Sequence, residues 1–588
     1  MPQSWRTGFE QAKTIARATF DGFLQSDLMP AGMQAPALIW AAAFLVAPAL
    51  LMPAQHMVKY PLIRRFHPEL LEGTFWNDRL LFLLMSAGAV GLVSVVLWDT
   101  LFPARRDAFV LTPMPVSLPV QMLGRLGGLL TLCVVFILGL NVIPAIAYPV
   151  ATAAGFLEMP RRILGHLVAA TLADIFVFFS VTSLQGIVIL ALGKRTASRF
   201  ASLAQAGAVL LLLLSLMFFV AIREATGDAL VRGSMDDPML RFVPFTWFLG
   251  LYEFIAGSPR PVMGSLAARA VIGGLLPLGV TIAIYAFGYK RLLARAVETP
   301  PQSTRSFLLT LTSKVIRTLV VRRPEEQAIC AFLLRAISRS GRHSMLMSIY
   351  IGAGLALMVT FALPDVLKLG REGLPSLSVA ILALPLVLSV AIGVGARILI
   401  AIPADMGARW VFQTTSITPR RVDAAVHKGL LLLVIPTVMV TAAVTAGPLW
   451  GPGPAAQHAV YCGALSLLLC ELLLISYRGI PLTRPYVPGG SRFHMLWAVY
   501  LSAFTTYTYT AARLERDLMR YSGTKGIAIA ATVFVVLAFG LWGWRKLKVR
   551  QWTDIPFEAA MPDDQMFQGF NLSEIHTAQA VAARGRDS

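Results

Sequence analysis

Apolar residues in this chain come in long unbroken runs, where an amphipathic soluble helix would show a stripe. A helix crossing a bilayer needs about 20 apolar residues at 1.5 Å each. Runs of that kind occur at 35–53, 80–98, 126–148, 163–192, 200–222 and 270–289. A second series follows at 346–363, 379–402, 429–450, 455–477, 495–512 and 526–544. The pattern predicts an all-α polytopic membrane protein of about twelve transmembrane helices in two six-helix halves. Residues 1–310 form the first half, 311–550 the second, and 551–588, which lose apolar periodicity, a flexible cytoplasmic tail.

Composition agrees with lipid as the solvent: 56% of the 588 residues are hydrophobic and only 14% charged, against about a quarter charged in a soluble domain. Residues 1–30 carry Arg6, Glu10, Lys13, Arg17 and Asp21 before any apolar run, so they do not read as a cleavable signal. Two stretches, 5–24 and 327–337, read as amphipathic helices along the membrane surface, the first anchored by Phe9, Ile15, Phe20 and Phe23.

Charge sets the expected orientation. With the N-terminus inside and twelve spans, 33 of the 51 Lys and Arg fall in cytoplasmic segments and 17 in outer ones, with Arg397 inside a span. Both termini are therefore expected in the cytoplasm. The net charge of +20 lines the membrane edge and suits anionic lipid; it is not the clustered basic face of a nucleic-acid binder. Arg397, near a span end, is expected to snorkel to the headgroups.

An internal repeat links the halves. An offset of 303 places Arg106 on Arg409, Phe109 on Phe412, Thr112 on Thr415 and Arg125 on Lys428, each block lying between the second and third span of its half. Thr112, Pro113 and Pro115 interrupt the first block, and Thr415 and Pro419 the second, because proline lacks the N–H donor and disfavours helix before it. Each block reads as a short cytoplasmic elbow followed by a helix entering the membrane.

These elbows, L-x-P-x-P-V and T-x-[ILM]-[ST]-P in pattern, resemble the coupling region of type V ABC exporter permeases. That family carries an amphipathic helix before the first span, six spans per half and an outer re-entrant hairpin between the fifth and sixth. Here 239–257 (MLRFVPFTWFLGLYEFIAG), with Pro244, Trp247 and Glu253, is too broken by Pro244 and Gly250 for a standard span and occupies that place. The second half departs from the pattern, with only 513–525 between its last two spans. The resemblance implies a permease of the inner (cytoplasmic) membrane coupled through Arg106, Phe109, Thr112, Pro113, Pro115, Arg409, Phe412, Thr415 and Pro419 to an ABC ATPase subunit that binds the ATP.

The chain holds no GxxxxGK[ST] loop, HExxH or GxSxG, so no nucleotide-binding or hydrolytic centre is visible and no cofactor is expected in this chain. Cys133, Cys330, Cys462 and Cys470 lack CxxC spacing and read as packing residues. Asp174 and Glu471 each lie in the fourth span of their half. A carboxylate in hydrocarbon costs several kcal/mol unless it faces protein, a cation or water, so both are expected to face inward. They either fix helix packing or serve an ion-coupled secondary transporter; a non-transporting membrane assembly protein or a lipid-modifying enzyme is the third reading.

Overall fold

The computed structural model describes residues 3–24, 59–98, 101–102, 109–111, 113–153, 155, 158–258, 260–298, 323–372, 377–402, 412, 414–415, 417–475, 477, 480–482 and 502–551. Among these it is helical, with no strand. The first half comprises α1 (Gln3–Leu24), α2 (Leu71–Val96), α3 (Leu118–Thr152), α4 (Glu158–Met217), α5 (Phe219–Arg232), α6 (Pro238–Phe242), α7 (Pro244–Ala256) and α8 (Pro261–Glu298). The second comprises α9 (Pro324–Arg339), α10 (Gly341–Glu372), α11 (Val379–Ala401), α12 (Pro419–Trp450), α13 (Pro452–Leu474), a π-turn at Thr506–Thr510, α14 (Ala511–Tyr521) and α15 (Gly523–Arg550).

Nine of the described helices are long and apolar enough to cross a bilayer, or ten if Leu203–Met217 and Ala221–Arg232, bent by 67°, make one span. The chain is thus an all-α, multi-pass integral membrane protein. Of the twelve expected spans, 35–53 and the first residues of 495–512 lie outside the described residues. Leu123, Val134 and Leu138 on α3, Val440 and Val444 on α12 and Val533, Val536 and Phe539 on α15 are all exposed. Apolar surface on this scale is what lipid covers.

α4 runs for 60 residues yet is no straight rod. A Cβ on Gly91 would lie 2.8 Å from methyls of both Val177 and Leu212. Thirty-five residues of straight helix would hold those positions about 50 Å apart. The helix therefore doubles back between them, and the expected spans 163–192 and 200–222 are neighbours around α2. The returning arm joins the halves: Gly352 of α10 lies so close to Ala206 that an added Cβ would sit 2.5 Å from its carbonyl oxygen.

The broken segment is present in the first half, but the break falls at Val243, between α6 and α7. Gly250, expected as a second break, lies inside α7. Its missing side chain admits Leu266 of α8, whose Cβ would be 2.3 Å from any Cβ built there. In the second half the corresponding stretch is helical too: α14 buries Ala512 and Glu515 and reverses into α15 at Gly523, whose φ of +57° suits glycine.

Each half lays an amphipathic helix on the span that follows its elbow. α1 packs on α3 through Ile15 and Thr19 against Gly124 and Gly128, positions where a Cβ would meet them at 2.7 and 2.8 Å. α9 packs on α12, with Leu333 and Cys330 against Gly429. Small residues spaced by four permit such close helix approach.

Candidate functional site

The two elbows singled out in the sequence are built differently. In the first, a helical turn at 109–111 leads through Pro113 and Pro115 to Ser117, and Pro119 sits in the first turn of α3, where no N–H partner is lost. The Gln121 side-chain amide donates to the carbonyls of Leu111 (3.3 Å) and Val116 (3.0 Å), holding the elbow in shape. Phe109, Val110 and Met114 are exposed, at 55%, 46% and 47%.

The second elbow differs. Phe412, expected beside Phe109 as an exposed apolar anchor, is buried at 7%, its ring 6.3 Å from Phe332 of α9. The reason is α9 itself, which covers this elbow. Its acidic first turn is tied to α12 through Glu325 to Arg421 and Glu326 to Lys428 (2.6 Å). Thr415 is exposed and Pro419 opens α12. Arg106, Thr112 and Arg409 lie outside the described residues.

Behind the second elbow lies a charged network that joins three helices. Arg545 of α15 donates to Asp423 Oδ1 of α12 at 2.6 Å and its other terminal nitrogen is 3.2 Å from Glu471 Oε2 of α13. His427 Nε2, one helical turn after Asp423, is 2.5 Å from Glu471 Oε1. The side chains of Arg545, Asp423 and Glu471 are only 5%, 9% and 2% exposed. Both acids face the Arg545 guanidinium, and a buried carboxylate needs such a partner where water is scarce. A cavity of about 880 Å³ opens over this network, and its wall carries Arg323, Arg420, Arg421, Lys428, Lys546 and Arg550. The Lys546 ammonium lies 3.5 Å from the centre of the Trp542 ring, a cation–π contact. The basic side chains outnumber Glu326, Asp423 and Glu471 on the same wall, which suits an anionic group.

Asp174 stands apart from that network. It is fully buried and Oδ2 accepts from Ser86 Oγ of α2 (2.8 Å) and Asn141 Nδ2 of α3 (2.7 Å). Both intramembrane acids therefore face protein, but each within its own half.

The opposite end of the first half from its elbow holds a third polar group. Lys59 and Tyr60 bond Asp78 at 2.8 and 2.5 Å, and Tyr60 meets the Tyr148 hydroxyl at 3.0 Å. Burial, then the Tyr148 and Asp78 oxygens, push the Tyr60 hydroxyl far above its ordinary pKa, so it stays a donor. Arg79 pairs with Glu253 of α7 and stacks 4.2 Å over the Tyr252 ring. The residues expected of the broken helix are thus brought into one packed unit. Pro244 opens α7, Trp247 donates to the Leu240 carbonyl (2.9 Å) and packs on Gly273, and Glu253 neutralises Arg79.

Arg397, expected to reach the headgroups, also contacts protein. Its Nε donates to the Leu473 carbonyl at 3.0 Å and its guanidinium lies 5.0 Å over Tyr477. Asp423, His427 and Arg545 escaped sequence reasoning as a site. The available signal was the four-residue spacing of Asp423 and His427, which puts them on one helix face. No family model, curated protein or solved structure matches this chain.

Proposed function

We propose that this chain is the transmembrane permease of an ATP-driven exporter, energised by a separate ABC ATPase and seated in the inner membrane with both termini in the cytoplasm. The observation that carries the reading is the repeated arrangement in which an amphipathic helix lies on the span that follows a proline-containing elbow, α1 on α3 and α9 on α12. Such a pair of rigid units can pass a partner's movement into both halves. The first elbow supplies the apolar surface for docking, through Phe109, Val110 and Met114, whose exposure suits an interface centre. The second, covered by α9, presents its charged rim, Arg420 and Arg421, and orients the partner.

The test is capture of the unmutated chain from its native membrane with ADP, with ATP and without nucleotide. A co-purifying Walker-motif ATPase, released by Phe109→Asp while the chain remains folded, is the expected result. No ATPase under any of the three conditions would sink the reading. A second reading, ion-coupled transport, draws on the contact of Glu471 with His427 beside the cavity. Transport driven by an imposed pH gradient, with no ATPase present, would favour it.

A further inference from the structure

Toward the end of the second half opposite the cavity, three side chains with metal-ligating atoms converge in the protein interior. His458 and Cys462 stand four apart on α13 and so share a face. Glu515 reaches them from α14. All three are fully buried, and one ligand atom from each lies within 4.8 Å of the others. Glu515 Oε1 is 2.8 Å and Cys462 Sγ 3.5 Å from the same nitrogen, His458 Nδ1. The second Glu515 oxygen, Oε2, is buried with no hydrogen-bond partner. The Tyr461 hydroxyl, donating to the Ala511 carbonyl at 2.9 Å, pins α13 to the start of α14 beside the cluster.

A thiol, an imidazole and a carboxylate could instead form a nucleophilic relay, in which acid and thiol occupy opposite ring nitrogens. Here both approach Nδ1, and the thiol stands 4.0 Å from Nε2. Three donors gathered about one point is the arrangement a central cation requires. We infer that His458, Cys462 and Glu515 form a binding site for one zinc-class divalent transition ion. With Zn–S of about 2.3 Å and Zn–N of about 2.0 Å, tetrahedral coordination sets the sulfur–nitrogen edge at about 3.5 Å, and the observed separation is 3.5 Å. The nitrogen–oxygen edge of such a site, about 3.4 Å, asks the carboxylate to withdraw by about half an ångström from its present hydrogen bond. The mixed nitrogen, sulfur and oxygen donors select zinc or cobalt over magnesium and calcium, which take oxygen alone. Bound there, the ion ties α14 to α13 and leaves a fourth position for water or another ligand.

The experiment titrates the full-length chain, purified in detergent, stripped of metal and kept reduced, with Co²⁺ as the probe. The expected result is a near-ultraviolet thiolate-to-cobalt charge-transfer band with visible bands of tetrahedral cobalt, saturating at one ion per chain and erased by Zn²⁺. Cys462→Ser should abolish the charge-transfer band and Glu515→Gln should weaken binding at least tenfold. Zinc should also raise the unfolding temperature of the unmutated chain, a readout independent of whether either variant folds. Absence of the thiolate band in the unmutated chain, its persistence in Cys462→Ser, or no thermal shift at saturating zinc would each overturn the assignment.

Discussion

Replacing Arg545 with Met keeps most of the side-chain volume and removes the guanidinium shared by Asp423 and Glu471. Both carboxylates then remain in the interior, with His427 still beside Glu471. Breaking a buried ion pair by deleting one member costs about 3–5 kcal/mol, because the other charge keeps its desolvation penalty and loses its compensation. Two acids depend on this arginine, so the upper end of that range is expected. The neutral triple variant Arg545→Met, Asp423→Asn, Glu471→Gln leaves no stranded charge. Replacing buried ionic groups together is often nearly neutral, so it should return to within about 2 kcal/mol of the unmutated protein. Denaturant unfolding in mixed micelles, run on the single and multiple variants as a thermodynamic cycle, reads these differences. If the triple variant loses as much as the sum of the single ones, the three residues do not act as one network and the reasoning fails.

Other outcomes follow from the same structure. A cysteine at exposed Ser117 should react with a membrane-impermeant thiol reagent only after the inner face is opened; labelling of intact cells would reverse the proposed orientation. Asp174→Asn keeps an acceptor for Ser86 and Asn141 and should unfold like the unmutated chain, whereas Asp174→Leu strands the Ser86 hydroxyl at about 1–3 kcal/mol, the Asn141 amide keeping Ser86 Oγ and the Ile137 carbonyl as acceptors, as the same unfolding assay would record. Asp237, held below the usual carboxylate range by the Arg232 guanidinium and the Met239 N–H, steadies the turn between α5 and α6. A depressed folded value means this support is present above the ordinary carboxylate pKa, about 3.9, and is lost as pH falls through the folded value. Hydrogen exchange at Met239 should therefore distinguish Asp237→Asn from the unmutated chain near neutral pH and converge with it in acid; equal rates at all pH values would contradict the assignment.

Much of the architecture was legible because hydrophobic length is a one-dimensional signal. The run 126–148 marks α3, and 379–402 marks α11 almost residue for residue. The break before Pro244 was legible for the same reason, since proline acts locally. Gly250 misled because a glycine that opens a turn and a glycine that admits Leu266 look alike in a string. The gap between the two apolar runs at 193–199 lies between Val177 and Leu212, the positions that bound the reversal within α4. What stayed hidden was long-range. Asp423 and Arg545 are 122 positions apart, and neither residue's spacing points to the other. Phe412 looked equivalent to Phe109 because nothing local reveals that α9 folds over one elbow and not the other.

The two elbow-side ends of the halves are closed by different kinds of contact, and this bears on how each would tolerate hydration. In the first half the last carbonyls after α2 are capped from three neighbours: Gln185 on Trp98 (2.6 Å), Tyr285 on Leu101 (2.5 Å) and Arg125 on Phe102 (3.0 Å). Helix-end carbonyls need such partners, and the three caps lock α3, α4 and α8 to one point. Separating them means exposing the aromatic and aliphatic packing around Phe102, Tyr285 and Tyr289, for which water offers no compensation. In the second half, parting α12, α13 and α15 would release Arg545, Asp423, His427 and Glu471, groups that water solvates well, into a cavity already lined with charge. Wetting therefore opposes separation of the helices at this end of the first half and is better tolerated at the corresponding end of the second.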